Sequence, residues 1–350
     1  MKPKSLAVWG VSLTLIGLIA LATGCTKSPS ALKATTLPPI GVTSDQEATS
    51  IPNGTSTGTG YQVIFDQYIY GATTTAEVTE WAAYVGPAEH NTVEIAVENG
   101  YVCVGGGAHT VDPNGNQANV DALLTAAYPV VGDGYYSSFV ASNKDQFTQY
   151  FSYLYVYVIG LKLYGPGGTV IPTSAITPHL YETYDLSTAA HYPTVSEGVP
   201  SQYANRILSG GAFDDYGSGY GNLITECDWT LPATTTAAGK DQHSPDVCSI
   251  YDFVIAIDNN PIAGFGNLNV AYNSATIPNS THLQSLGVAV APGYGLTGVG
   301  GKTTWTGYGR MLYDLYAPSS SQIVVGSKDQ QTPDISGNIS GIVSGVQPAQ

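Results

Sequence analysis

Three short stretches hold much of the polar chemistry this chain can offer. Lys144-Asp145-Gln146, Lys240-Asp241-Gln242 and Lys328-Asp329-Gln330 are identical in type and fall at spacings of 96 and 88 residues. Only seven Lys or Arg lie beyond residue 60, so three of them in one repeated context mark a triplicated unit, not a chance scatter. A histidine precedes each tripeptide, at His90, His191 and His282. Imidazole, ammonium and carboxylate together could form one ligand site per unit. A structural clasp is the competing reading, in which each Asp accepts hydrogen bonds from nearby backbone amides and each Lys lays its stem on a sheet. Adjacent residues of a strand point to opposite faces, so Lys and Asp could converge on one ligand only from a turn. The Gly-rich loops of the three units differ in sequence while the tripeptide does not vary, which favours the clasp.

Other catalytic chemistry is poorly supported. Glu226 and Asp228 would share a strand face, but no second wall is evident to make an acid–base pair, and they have no counterparts at Ala126 and Tyr128 or at Asp314 and Tyr316. There is no G-x-S-x-G elbow and no C-x-x-C or H-E-x-x-H metal spacing. The glycine run at 105–107 lacks the lysine of a nucleotide loop, and the run at 298–301, which Lys302 follows, lacks the helix. Asp, Asn and Gly at 112–116 and 214–221 supply too few oxygen ligands for a calcium loop, and no Glu follows at the required spacing. The expectation is no metal, no cofactor and no enzyme.

The elements that must position these residues are read from the same repeat. A glycine pair precedes each tripeptide, at Gly106-Gly107, Gly210-Gly211 and Gly300-Gly301. Between pair and tripeptide lies an apolar step, at Leu123-Leu124, Leu223-Ile224 and Met311-Leu312. In the segment 153–163, Tyr153, Tyr155 and Tyr157 fall on one face and Leu154, Val156 and Val158 on the other, the period of two of a strand with dissimilar sides. Charged residues make up only 11%, whereas Gly (41) and Tyr (25) are abundant, a composition suited to an extracellular β-protein with many tight turns. The fold expected is all-β: three tandem sheet repeats of about 95 residues, at 61–156, 157–252 and 253–350, packed with pseudo-threefold symmetry. The ring would close where 339–346 meets 63–69. Three β-sandwiches in a row are the alternative.

The amino terminus carries a resemblance. Lys2 and Lys4 precede an apolar run at 6–22, and Leu21-Ala22-Thr23-Gly24-Cys25 resembles the lipobox of bacterial lipoproteins, with Ala22 where Leu, Val or Ile is preferred. The resemblance implies that residues 1–24 are a cleaved signal and that Cys25 carries lipid. Thr26, not Asp, follows; this implies the outer membrane in a Gram-negative cell, or the outer face of the cell membrane in a Gram-positive one. Residues 25–60 are rich in Ser, Thr, Pro and Gly and read as a disordered tether. The repeated block also resembles Gly-Gly-Gly-Ala and Ser-Lys-Asp repeats of secreted bacterial proteins without an assigned activity, through Gly105-Gly106-Gly107-Ala108 and Ser327-Lys328-Asp329.

With 26 acidic and 11 basic residues the formal charge is −15, which argues against nucleic acid as a partner. Outside the cytoplasm Cys227 and Cys248 are expected to pair, leaving Cys103 as a buried thiol. The functional expectation is a membrane-anchored binding protein of the cell envelope, with glycans as the first ligand class because tyrosines can stack on sugar rings. A structural or adhesive protein that binds other envelope proteins along strand edges is the alternative.

Overall fold

In each unit the register places a first and a third strand on either side of the last one. The computed structural model describes residues 53–111, 113, 123–132, 134–144, 151–215, 222–241, 247–280, 284–303, 312–316, 322–327 and 337–350. Strand β1 (Thr59–Tyr70) precedes the repeats. The first unit contains β2 (Thr75–Ala88), β3 (His90–Ala96), β4 (Val102–Val111), β5 (Leu123–Gly132), β6 (Tyr135–Lys144) and β7 (Ser152–Tyr164). The second contains β8 (Leu180–Leu186), β9 (Thr194–Gly198), β10 (Ile207–Asp215), β11 (Asn222–Thr230), β12 (Thr234–Asp241) and β13 (Ser249–Ile257). The third contains β14 (Leu268–Ser280), β15 (Gln284–Ala289), β16 (Gly295–Thr303), β17 (Leu312–Tyr316), β18 (Gln322–Ser327) and β19 (Gly337–Pro348). A short α-helix, α1 (Thr173–Ile176), lies between the first two units.

The protein is all-β, and its three units repeat one pairing scheme. The half-sheets β2-β7-β4, β8-β13-β10 and β14-β19-β16 are equivalent, as are β3-β6-β5, β9-β12-β11 and β15-β18-β17. Within a unit the two halves pack face to face as a small sandwich. Between units the sheets are shared. β5 pairs with β10 (Ala127 opposite Ala212), and β11 pairs with β16 (Cys227 opposite Gly301), so each six-stranded sheet spans two units. β17 lies beside β4 in the corresponding position and completes the circuit. Both expected architectures are therefore present in part: each unit is a sandwich, but the three close on one another rather than stand in a row. The cuts drawn at 156/157 and 252/253 pass through β7 and β13, because these strands end a unit and do not open the next.

The glycine landmarks mark the centre. A one-residue bulge interrupts the third strand of each unit, at Val104, Leu208 and Thr297. The residues that follow, Gly105, Ser209 and Gly298, meet about a common axis where β4, β10 and β16 approach one another. A methyl on Gly105 would lie 2.2 Å from the Thr297 carbonyl oxygen, and one on Gly298 would lie 2.0 Å from that of Leu208. Backbone is too close there for a Cβ. Counting from the bulge, Gly107, Gly211 and Gly300 are equivalent, opposite Tyr157, Phe253 and Ile342. The sequence pairing of Gly300-Gly301 with Gly106-Gly107 is thus out of step by one residue.

The bulges also bring equivalent core segments into line: Tyr157-Val158-Ile159-Gly160-Leu161, Phe253-Val254-Ile255-Ala256-Ile257 and Ile342-Val343-Ser344-Gly345-Val346. One continuous cluster of buried side chains runs from Phe65 to Val346 through all three units. β1 is fixed to it by Phe65 and Ile69, and Ile69 lies against Gly295 of the third unit. The expected meeting of 339–346 with 63–69 is made by packing and not by strand pairing. β19 is a central strand between β14 and β16, and β1 only packs near it.

Candidate functional site

The repeated tripeptides occupy equivalent places. Lys144 ends β6, Lys240 and Asp241 end β12, and Ser327, the residue before Lys328, ends β18. Each tripeptide therefore begins at or just past the end of a unit's fifth strand. Lys144 and Lys240 are buried. His90 stands opposite Lys144 in the β3–β6 register. His191 packs edge-on against Tyr192, with ring centroids 4.4 Å apart, and the Lys240 Nζ lies 5.7 Å from the Tyr192 ring centre. Histidine and lysine thus stand opposite each other in the first unit, and in the second both approach the Tyr192 ring. Cys25, Asp145, Gln146, Gln242, His282, Lys328, Asp329 and Gln330 lie outside the described residues.

The best-built polar cluster lies elsewhere, on the face of the first sheet where β1 is added. The register sets Tyr68, Glu77 and Lys162 in one cross-strand row and Tyr70, Thr75 and Tyr164 in the next. The Glu77 carboxylate is buried and accepts hydrogen bonds from the hydroxyls of Tyr68 (2.8 Å), Tyr101 (2.7 Å) and Tyr164. Thr79 donates to Asp66 (3.2 Å), and the Trp81 indole donates to Glu98 (3.2 Å). Lys162 Nζ sits 5.0 Å from the centre of the Tyr101 ring and 5.5 Å from that of Tyr164. Its charge therefore lies over two π-faces.

This network fixes orientation and protonation. The hydrogen bond to Glu77, followed by burial, pushes the Tyr68 hydroxyl up to about 12. Burial first, then Glu77, raises Tyr164 further, and burial also raises Asp66. The phenols are held neutral, as donors, with their rings set by one carboxylate. Tyr70 is 71% exposed and Tyr68 44%, so ring surface remains open to solvent beside the exposed Asp66. The face offers apolar ring surface, carboxylate acceptors and one ammonium, but no nucleophile activated by a base. Its members are scattered from Asp66 to Tyr164, and only the period of two in Asp66, Tyr68 and Tyr70 hinted at a shared face.

Equivalent positions in the other units carry different chemistry. Glu77 opposite Lys162 corresponds to His179 beside Asp258 (2.9 Å) in the second unit and to Asn269 opposite Gln347 in the third. A second aromatic row, with Tyr84 5.1 Å from Tyr155 and His109 6.3 Å from Tyr155, corresponds to Leu186, Tyr251 and Phe213 and then to Thr276, Ser340 and Lys302. Lys302 pairs with Glu226 at 2.7 Å across β16 and β11. That ammonium is the neighbour of Glu226 that strand periodicity did not reveal. Burial pushes the nearby Asp228 up to about 6. Among the described residues no three His, Cys, Asp or Glu converge to hold a metal ion.

The expected Cys227–Cys248 disulfide is corrected: the two cysteines are not joined to each other, and both are buried, as is Cys103. Cys227 packs beside Gly210, whose cross-strand partner is Val254, whereas Cys248 precedes β13 and faces the Ala190 carbonyl at 3.8 Å. The run of β13 between these points separates the two thiols by on the order of 15 Å. A disulfide requires Cα atoms closer than about 7 Å.

No family model matches the chain, and no curated protein matches it.

Proposed function

We propose that this is a lipid-anchored protein of the cell envelope that binds glycans through the tyrosine face of β1, β2 and β7. The observation that carries the reading is the set of three tyrosines oriented by Glu77, with Tyr68 and Tyr70 exposed beside Asp66 and Lys162. Aromatic faces stack on the C–H surface of a sugar ring, and flanking carboxylate and ammonium groups exchange hydrogen bonds with its hydroxyls. A formal charge of −15 favours uncharged sugars over polyanions. One face rather than three equivalent sites is proposed, since the equivalent positions differ in every unit.

The full-length protein on a glycan array should give saturable binding to neutral glycans. Tyr70→Ala removes an exposed ring without touching the core and should weaken that binding by roughly 3- to 10-fold. Silence across a broad array, or binding indifferent to Tyr70→Ala and Tyr68→Ala together, would reject the glycan assignment. Anchoring is read separately. Cys25→Ser should release the protein or leave it as unprocessed precursor, and a fully processed, membrane-bound variant would reject lipidation.

A further inference from the structure

The outer edge of β2 is covered by β1, which pairs with it from Thr59 to Tyr70. The equivalent strands of the other two units, β8 and β14, are both the last strands of their sheets. They differ in what they present. β8 is seven residues long and carries the exposed Asp185, a charge of the kind that keeps strand edges from pairing. β14 is 13 residues long, Leu-Asn-Val-Ala-Tyr-Asn-Ser-Ala-Thr-Ile-Pro-Asn-Ser, without a charged residue. Among the described residues its strand partner is β19 alone. Asn273, Ser274 and Thr276 are exposed along it.

We propose that two copies of this chain pair through β14, antiparallel and about a two-fold axis, joining two six-stranded sheets into one. The first unit demonstrates that this edge accepts an antiparallel strand of such length, because β1 occupies it there. A second copy also fits the charge pattern. Two-fold pairing sets a strand against itself, so β8 would carry two Asp185 carboxylates into one seam, whereas β14 carries no charge into it. The protein as a whole is strongly acidic, which leaves an uncharged edge as a favourable line of approach between copies. The middle residue of β14 is Ser274, which places the two copies of Ser274 opposite each other.

The test is disulfide capture of full-length protein in the membranes of the cells that make it. Facing residues of an antiparallel pair have Cα atoms about 4.5–5.5 Å apart, within reach of a disulfide. Cys103, Cys227 and Cys248 are buried and give little background. Under mild oxidation Ser274→Cys should yield at least fivefold more homodimer on a non-reducing gel than Thr183→Cys, at the middle of the β8 edge. Thr276→Cys reads the register: dimer from it instead of Ser274→Cys moves the two-fold axis along the strand and still supports the pairing. Absence of homodimer from both β14 variants, or equal yield from Thr183→Cys, overturns it. Capture of a different protein by Ser274→Cys also overturns self-pairing and assigns the edge to another partner.

Discussion

Glu182 joins two units through a single carboxyl group. Its Oε2 accepts the Tyr136 amide hydrogen at 2.9 Å, bringing the tip of the β5–β6 hairpin against β8, while its Oε1 is buried without a hydrogen-bond partner. Burial pushes this carboxyl up to about 8, with the Tyr136 amide opposing the shift only in part. The folded protein therefore holds the proton more tightly than the unfolded chain does. Its contribution to stability is complete below the ordinary carboxyl value of 4.5 and is lost as pH rises through 8. Buried Asp252 is raised too, so wild-type stability alone would mix the two effects. Compared with Glu182→Gln, the wild type should lose ground from pH 5 to pH 8 by up to about 1.4 kcal/mol per pH unit. Denaturant unfolding of both proteins at several pH values checks this, and a constant difference would mean that the carboxyl is not held protonated. Nothing in the sequence announced this residue, because its partner lies 46 positions away on another unit.

At the scale of the strand, the bulge decides where glycine is needed. Gly105 and Gly298 face backbone oxygens that cannot move without displacing a neighbouring unit, while Ser209 fills the third position with a side chain. Gly298→Ala should therefore lower stability by about 3 kcal/mol and Ser209→Ala by only about 1 kcal/mol, measured by thermal or denaturant unfolding. Equal costs would remove the distinction between the three positions. The glycines were legible as landmarks, but their register was not. Within Gly298-Val299-Gly300-Gly301 nothing local says which glycine meets the axis, since that depends on bulges formed with β19. The alternation at Tyr153 and Tyr155 was readable because the two faces of β7 differ in exposure toward its ends, while the stretch 156–161 is buried on both. β4, β10, β13 and β16 are covered on both faces, so their sequences run apolar or glycine-rich without a period of two. The proposed glycan face was hidden for a different reason: it depends on β1, which has no counterpart among the described residues of the other units.

For the molecule as a whole, triplication and the all-β class could be read from three tripeptides and a composition, but the sharing of sheets could not. A repeat period says that units are alike; it does not say which edge of one meets which edge of the next. That sharing has a consequence for ancestry. A lone six-strand unit would leave open both the edge that β5 offers to β10 and the edge that β10 offers to β5. Three separate copies of one shorter chain would satisfy each other through the same joints, so the fold has the form of a homotrimer whose subunits became one polypeptide. Separate identical chains must change together at every site. Once fused, each copy could vary alone, and a row that is Glu77 and Lys162 in one became His179 and Asp258 in the next and Asn269 and Gln347 in the last.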